Sequence, residues 1–476
     1  MERTRASGVL LAISALPGPY GIGSLGEPAR RFVDFLVRGS QRWWQILPLV
    51  PLGNGASPYM SPSAFAGNPL LIDLDMLAQE GLLTPEELDS ARCQSPDRVD
   101  YVRLNETRLP LLRHAWQRSK GRPEEADPVE MPWLEDYAAF SALHDHYRSG
   151  WWEWPCDAVP DPEERDFHRF LQRTFYRQWF ALKQYANERG VRLMGDIPIY
   201  LSADSVELWR RPEIFELEKD GRPSAVAGVP PDAFCPDGQL WGNPLYNWQR
   251  EATFDFWKER IGWCAKLYDG VRIDHFRAFH NYWSVPADAE TAAEGEWLPG
   301  PGMKLLNALQ AAAPKLELIA EDLGDLDAGA IEFVRTCGVP GMRVLVFAFT
   351  PGAESAFLPH NCDENCVVYT GTHDTPTFVQ WFHEADSETA AYARAYLRLR
   401  EDEGLGWGGL CGAWGTRAYL AIAPMQDVLG LGADARMNTP GTMGDHNWSW
   451  RVRYEAFNDG VADRLSHLTK IYSRAN

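Results

Sequence analysis

Short apolar runs recur along this chain, each stopped by turn-forming or charged residues, and most are followed by a stretch with helical spacing. Eight such runs, at 9–14, 43–48, 191–200, 270–276, 316–323, 342–349, 366–372 and 419–424, read as strands. Between them apolar positions fall at three- and four-residue intervals, as in Ala29, Phe32, Val33, Leu36 and Val37, with Gly39 suited to the helix end. Helices are predicted likewise at 254–267, at 303–313 and up to Thr336. Strands that alternate with helices pair in parallel, and eight repeats predict a closed (β/α)8 TIM barrel, an α/β fold. The rhythm is broken from about 75 to 188, a polar and mostly helical region with Pro/Glu/Asp linkers at 121–132 and 156–164. This reads as an inserted, mainly helical subdomain within a single catalytic barrel spanning 1–476. Residues 228–247 follow neither period and read as a long active-site loop.

Composition narrows the partners. Lys and Arg number 46 against 66 Asp and Glu, a formal charge of −20, and no long basic run interrupts it. Nucleic acid and anionic membrane are therefore not expected partners, since both require clustered Lys and Arg. Arg3 and Arg5 ahead of Val9-Leu-Leu-Ala-Ile13 imitate a weak signal peptide, but the loop Pro17-Gly-Pro19 behind the run suits a first strand better. No stretch approaches the ~18 uninterrupted apolar residues of a membrane span. The eight cysteines are scattered; Cys362 and Cys366 are close, and no second pair completes a zinc-type set. Free thiols in a reducing, cytoplasmic setting are the expectation. Twenty tryptophans and 12% aromatic residues serve either an aromatic-rich core or the flat C–H faces of sugar rings.

Charge collects where the predicted strands end. The third run contains Asp196, the fourth ends Arg272-Ile-Asp274-His275, the fifth Glu321-Asp322 and the seventh His373-Asp374. In a parallel barrel those ends share one face, the face that carries catalysis. Arg272 and Asp274 lie two apart on one side of their strand, with Val271 and Ile273 on the other. A guanidinium so placed keeps the carboxylate ionised. Two chemistries fit the set. One is metal-dependent hydrolysis with Asp274, His275, His373, Asp374 and Glu321 as ligands; the other is cleavage of a glycosidic bond by paired carboxylates. Arg272 favours the second, because it competes with a metal ion but supports an anionic nucleophile. Duller roles are available to several of these residues: Asp196 as a helix cap, Tyr59 as a turn residue, His275 as a core histidine, Trp241 as a loop anchor.

The motifs then carry a resemblance. Ser57-Pro-Tyr-Met-Ser-Pro-Ser-Ala-Phe-Ala-Gly-Asn-Pro-Leu70, Gly195-Asp-Ile-Pro-Ile-Tyr200, Gly228-Val-Pro-Pro-Asp232, Trp241-Gly-Asn-Pro-Leu-Tyr246, Val271-Arg-Ile-Asp-His-Phe-Arg277, Ala320-Glu-Asp-Leu-Gly324, Thr370-Gly-Thr-His-Asp374, Arg436-Met-Asn438 and Pro440-Gly-Thr442 occur in this order. Together they resemble the 4-α-glucanotransferases (amylomaltase or disproportionating enzyme) of glycoside hydrolase family 77, relatives of the α-amylases, over essentially the whole chain. The resemblance implies no cofactor and no metal, and retaining transfer of α-1,4-glucan segments from a donor chain to a sugar acceptor. An α-glucan hydrolase on the same barrel and an inactive glucan-binding protein are the alternatives. It implies Asp274 as nucleophile, Glu321 as acid/base and Asp374 as the carboxylate that binds sugar hydroxyls. Arg272, Asp196 and His373 are placed around the cleaved sugar, and Tyr59 beneath it as a stacking platform. Further substrate contacts are implied for Ser57, Asp232, Gln239, Trp241, His275 and Asn447. Three positions depart from the common pattern: Ala233 where an aromatic is usual, Met60 beside the tyrosine, and Thr375-Pro376 after the His-Asp pair. These bear on acceptor grip and product size, not on the three carboxylates.

Overall fold

The computed structural model describes residues 3–475 except 94, 124–125, 232–235 and 353. Twelve strands form among them: β1 (Ala6–Leu10), β2 (Trp43–Gln45), β3 (Arg192–Ile197), β4 (Ala225–Val229), β5 (Gln239–Pro244), β6 (Gly270–Ile273), β7 (Asn281–Pro286), β8 (Glu296–Pro299), β9 (Glu317–Ala320), β10 (Gly341–Val344), β11 (Cys366–Tyr369) and β12 (Leu420–Pro424). Eight of these close a parallel barrel in the order β1-β12-β11-β10-β9-β6-β3-β2. The predicted (β/α)8 fold is therefore the observed one. Fully buried Val, Ile, Leu and Met side chains such as Val9, Ile46, Met194, Val271, Ile319, Met342, Val368 and Ile422 form its core.

The strands are shorter than the apolar runs that announce them. The first run, expected at 9–14, pairs at Ala6–Leu10 instead, and Ile13–Ala15 then forms a 3-10 turn. Ile13, Ala15 and Leu16 are as buried as the strand itself, so hydrophobicity marks burial here and not pairing. The same holds after β10, where Leu345–Phe347 forms a 3-10 turn with Leu345 and Val346 buried. Between β2 and β3 lie the helices Leu74–Gln79, Pro85–Ser90, Tyr101–Ser119, Leu134–Tyr147 and Pro162–Glu188. Their starts follow capping chemistry: Thr84 and Glu87 form a capping box, and Asp161 accepts from the amides of Glu163 and Glu164. The last helix buries Phe167, Leu171, Phe175, Trp179, Leu182 and Ala186, a spacing of three and four that lays one stripe on the barrel.

One expectation is corrected. Residues 228–247 are not simply a loop, because β4 and β5 pair antiparallel within a second sheet of order β5-β4-β7-β8. This sheet escaped the sequence pattern because it buries little. Val226, Val285 and Ala292 make a small buried cluster of its own, Ala227 and Tyr282 join the main core, and Leu240 on β5 is 43% exposed, so no regular alternation of apolar and polar residues marks the sheet. Asp232, expected on this segment, lies outside the described residues. No helix among the described residues is long and apolar enough to cross a membrane.

Barrel closure requires close approach at Gly8, which stands opposite Trp43 on β2. A Cβ there would meet the Trp43 carbonyl oxygen at 2.5 Å and its Cβ at 2.6 Å. Gly8→Ala is expected to destabilise the protein by about 1–3 kcal/mol through overpacking, read as a lowered Tm by calorimetry. An unchanged Tm would mean that β1 and β2 do not approach in this register.

Candidate active site

Strand register delivers the charged residues to one point. β3 and β6 pair with Asp196 opposite Arg272. Arg272 Nη1 donates to both carboxylate oxygens of Asp196 at 2.8 Å, and Nη2 lies 2.8 Å from Asp274 Oδ1. The Arg272 and Asp196 side chains are 4% and 0% exposed, while Asp274 keeps 28%. Burial works against the guanidinium charge, but the two carboxylates outweigh it and hold the Arg272 pKa well above its ordinary value. The expected alternation is thus realised, with Arg272 between two carboxylates rather than beside one. Asp196 caps no helix.

Asp274 and Glu321 occupy matching positions on neighbouring strands. Ile273 pairs with Ala320, and each carboxylate follows its strand by one residue. Backbone bonds lock the two ends together: the Glu321 amide donates to Ile273 O at 3.1 Å, and the Phe276 amide to Glu321 O at 3.0 Å. The Glu321 carboxylate accepts from the amides of His275 (2.7 Å) and Leu323 (3.1 Å). Burial nevertheless dominates, and with the Asp274 charge nearby it raises the Glu321 pKa to about 7. Its neighbour in sequence, Asp322, is spent elsewhere, accepting from the Met342 amide and pairing with Arg343.

Asp374, past the end of β11, completes the carboxylate set. Burial opposes its charge, but His373 at 3.1 Å and the Asn438 carboxamide, donating at 2.7 Å, hold its pKa down at about 2. Asp374 in turn raises the pKa of His373 against the effect of burial. His373 stacks on Tyr59 with ring centroids 5.2 Å apart, and the Tyr59 hydroxyl donates to Asp196 Oδ2 at 2.8 Å. Tyr59 is therefore more than a turn residue, since it links Asp196 to the His373–Asp374 pair.

Tyr59, Asp274, His373, Asp374 and Asn438 open on a cleft of about 630 Å³ lined also by Ser57, Gln239, Trp241 and Asn447. Trp241 Nε1 donates to Gln239 Oε1 at 3.1 Å, and the Trp241 ring meets His275 edge-on at 4.9 Å. His275 adopts a left-handed conformation, φ 51°. Burial lowers its pKa to about 4, and its Nε2 has no hydrogen-bond partner among the described residues. It is a neutral imidazole whose Nε2 is buried without a partner, not a satisfied core histidine. Asn447 lines the cleft, but its carboxamide accepts from the Thr439 amide and donates to Thr442; it shapes the loop at 439–444. Ser57 accepts from the Tyr59 amide at 3.3 Å.

Two contributors were not singled out in the sequence. Asn438 holds Asp374, and its only signal is its place in Arg436-Met-Asn438. Trp448 packs on both Tyr59 and His373, and nothing in its sequence surroundings separates it from the many core tryptophans. The carboxylates named in the metal alternative are engaged by protein donors: Asp274 Oδ1 by Arg272, Glu321 by two amides, and Asp374 by His373 and Asn438. A grouping of Asp145, Glu164 and His168 elsewhere has donors close enough for an ion, yet both Glu164 oxygens are taken by Arg113 at 2.8 Å.

Comparison with known proteins agrees with this geometry. A family model described as 4-alpha-glucanotransferase matches residues 11–456. The 4-alpha-glucanotransferase of Thermus thermophilus is 44% identical over 95% of this chain and 95% of its own. That of Clostridium butyricum is 41% identical over 97% and 99%. The amylomaltase of Streptococcus agalactiae, solved with acarbose, superposes with a TM-score of 0.94 at 41% identity, covering 99% of this chain and 100% of that one. The Corynebacterium glutamicum amylomaltase, at 18% identity and a TM-score of 0.81, shares the fold. Barrel, carboxylate set and full-length similarity converge, and the chain belongs to glycoside hydrolase family 77, the 4-alpha-glucanotransferases.

Proposed function

We propose that this protein transfers α-1,4-glucan segments with retention of configuration, using Asp274 as nucleophile and Glu321 as acid/base. One observation supports the assignment above the others. Two carboxyl groups stand at equivalent positions on adjacent strands, and only Asp274 has a guanidinium partner, while burial raises Glu321 to about 7. Separate environments for two neighbouring carboxyls are what an acid and a nucleophile require.

The ion-paired Asp274 attacks the anomeric carbon while Glu321 donates its proton to the departing glucosidic oxygen. The acceptor then approaches, Glu321 removes the proton from its 4-hydroxyl, and that oxygen displaces Asp274, so two inversions give retention. Asp374, anionic and presented by His373 and Asn438, suits hydroxyls of the reacting sugar. Tyr59 suits a sugar face. His275, Gln239 and Trp241 offer contacts further along the cleft. Transfer outruns hydrolysis where water is kept from the intermediate, and the β4–β5 hairpin at the cleft is the element suited to that. Asp232 is proposed with that hairpin on sequence grounds alone. A cytoplasmic setting belongs to the same proposal, in keeping with the free thiols of Cys264, Cys337, Cys362 and Cys366 in the core.

Maltotriose incubated with the protein should yield a ladder of longer maltooligosaccharides plus glucose on chromatography. Glucose and maltose alone would make it a hydrolase, and unchanged maltotriose a binding protein. The two-step chemistry predicts a sharper result for Glu321→Gln. With an α-glucosyl fluoride, which departs without a proton, the variant should accumulate a covalent adduct on the peptide containing Asp274, visible by mass spectrometry, and azide should restore turnover. A folded variant showing neither adduct nor rescue would move the acid/base role to another group.

The pH profile follows from the same geometry. Glu321 must be protonated to act as acid, so kcat/KM should fall as pH rises through about 7. Arg272 lowers the Glu321 pKa, so Arg272→Gln should move that alkaline limb upward while reducing kcat/KM by on the order of a hundredfold or more. A limb that stays in place or moves down would separate Arg272 from the acid.

A further inference from the structure

One buried carboxylate has no part in the chemistry proposed above. Asp427, in the short helix Met425–Val428 that follows β12, is fully buried. No lysine, arginine or histidine pairs with it among the described residues, and burial raises its pKa to about 6. A carboxylate taken out of water without a counter-ion is costly, and hydrogen bonds must offset that cost. Two are present. Thr370 Oγ1 donates to Asp427 Oδ2 at 2.5 Å, and the Phe378 amide donates to Oδ1 at 2.7 Å.

Those donors stand at the two ends of one loop. Thr370 directly follows β11, Phe378 opens the helix Phe378–Glu384, and His373 and Asp374 lie between them. Inside the loop Thr375 Oγ1 accepts from the Thr372 amide at 2.9 Å, and Thr372 Oγ1 accepts from the Asp374 amide at 3.2 Å. The tip is held from the segment that leads on from Asp427. Arg436 donates to Asp374 O at 2.9 Å, the Asn438 amide to His373 O at 3.0 Å, and the Asn438 carboxamide to Asp374 Oδ1 at 2.7 Å. Asp427 is itself backed by the helix Leu405–Trp414, where a Cβ on Gly406 would meet Asp427 O at 2.5 Å. The helix at 378 already has a cap in Thr377, whose hydroxyl accepts from the Gln380 amide at 3.1 Å.

We propose that Asp427 is a positioning residue for the transfer reaction: it ties both ends of the 370–378 loop to one point and so sets where Asp374 presents its carboxylate to the reacting sugar. This role rests on the reading of Asp374 as the group that holds hydroxyls of that sugar. Without the two Asp427 bonds the loop ends lose their common anchor, and Asp374 is left with its contacts at the tip. Misplacing such a group by about 1 Å costs on the order of a hundredfold in rate. Asparagine at 427 can keep both bonds, with the Phe378 amide donating to Oδ1 and the new carboxamide donating to Thr370 Oγ1. The clamp therefore depends on shape and hydrogen bonding, not on charge.

The test compares turnover of α-glucosyl fluoride with that of its 2-deoxy and 3-deoxy analogues, maltose being the acceptor, in the full-length parent, Asp427→Ala, Asp427→Asn and Thr370→Val. Asp427→Ala should lower kcat for α-glucosyl fluoride about tenfold or more, with KM within about twofold of the parent. It should also shrink the penalty for at least one missing hydroxyl by about threefold or more, because a misplaced Asp374 discriminates less between the substrates. An unfolded fraction would lower both rates alike and leave that ratio unchanged. Asp427→Asn should stay within about threefold of the parent in rate and in ratio. Thr370→Val, which removes one of the two bonds, should show both changes to a smaller degree and supplies the comparison if Asp427→Ala does not fold. An unchanged ratio in the folded variants, or an Asn variant as impaired as the Ala one, would overturn the clamp. Asp374→Asn separates this outcome from the reading beneath it. Maltotriose turnover retained in that variant would remove Asp374 from the chemistry, whereas collapse there beside an unchanged ratio in the Asp427 and Thr370 variants would overturn the clamp alone.

Discussion

The structure turns on one guanidinium held out of water between two carboxylates. Arg272 is nearly inaccessible, and its partners come from two strands, Asp196 on β3 and Asp274 at the end of β6. A buried ion pair of this kind gives little net stability, because desolvation offsets most of the attraction, but removing one partner costs about 3–5 kcal/mol. Its value lies in what it fixes. The register of β3 against β6 places Asp196 opposite Arg272, and the Tyr59 hydroxyl then takes Asp196 Oδ2. From Tyr59 the contact passes to His373, and from His373 to Asp374. Residues far apart in the chain are thereby brought to one orientation by a single charge.

The same cluster sets the protonation states on which the chemistry relies. Arg272 pulls the Glu321 pKa down, while burial and the Asp274 charge push it up, and the balance falls near neutrality. Asp374 reaches the opposite extreme because His373 and Asn438 both stabilise its charge. Neighbouring acids in one cleft thus differ through their partners and not through their residue type. β9 connects this arrangement to the far end of the barrel, with Glu317 at its start and Glu321 just past its end.

Much of the architecture was legible in the pattern of apolar runs. Short runs separated by helical periods leave parallel pairing as the consistent solution, and polar residues at the run ends mark the catalytic face. The limits were equally physical. The run at 9–14 misplaced β1 because Ile13, Ala15 and Leu16 are buried without being paired. The antiparallel sheet was invisible because its strands bury so little that neither period appears, and the supposed loop at 228–247 proved to be largely a hairpin. Asn438 and Trp448 were not singled out because an amide donor and an aromatic ring acquire their roles only from what stands next to them.

The sequence by itself determined the fold class, the face that carries the chemistry and the residue types gathered there. These follow from periodicity and from charge at strand ends, which are local properties of the chain. It also suggested the pairing of Arg272 with Asp274, because both lie on one side of one strand. Tertiary structure decided the rest: that Arg272 bridges to Asp196, that the His275 nitrogen is left unused, that Asn447 serves its own loop, and that Asp322 turns to Arg343 while Glu321 is held by two amides. Each depends on strand register and burial, which are set by contacts between residues distant in sequence and leave no periodic trace along it.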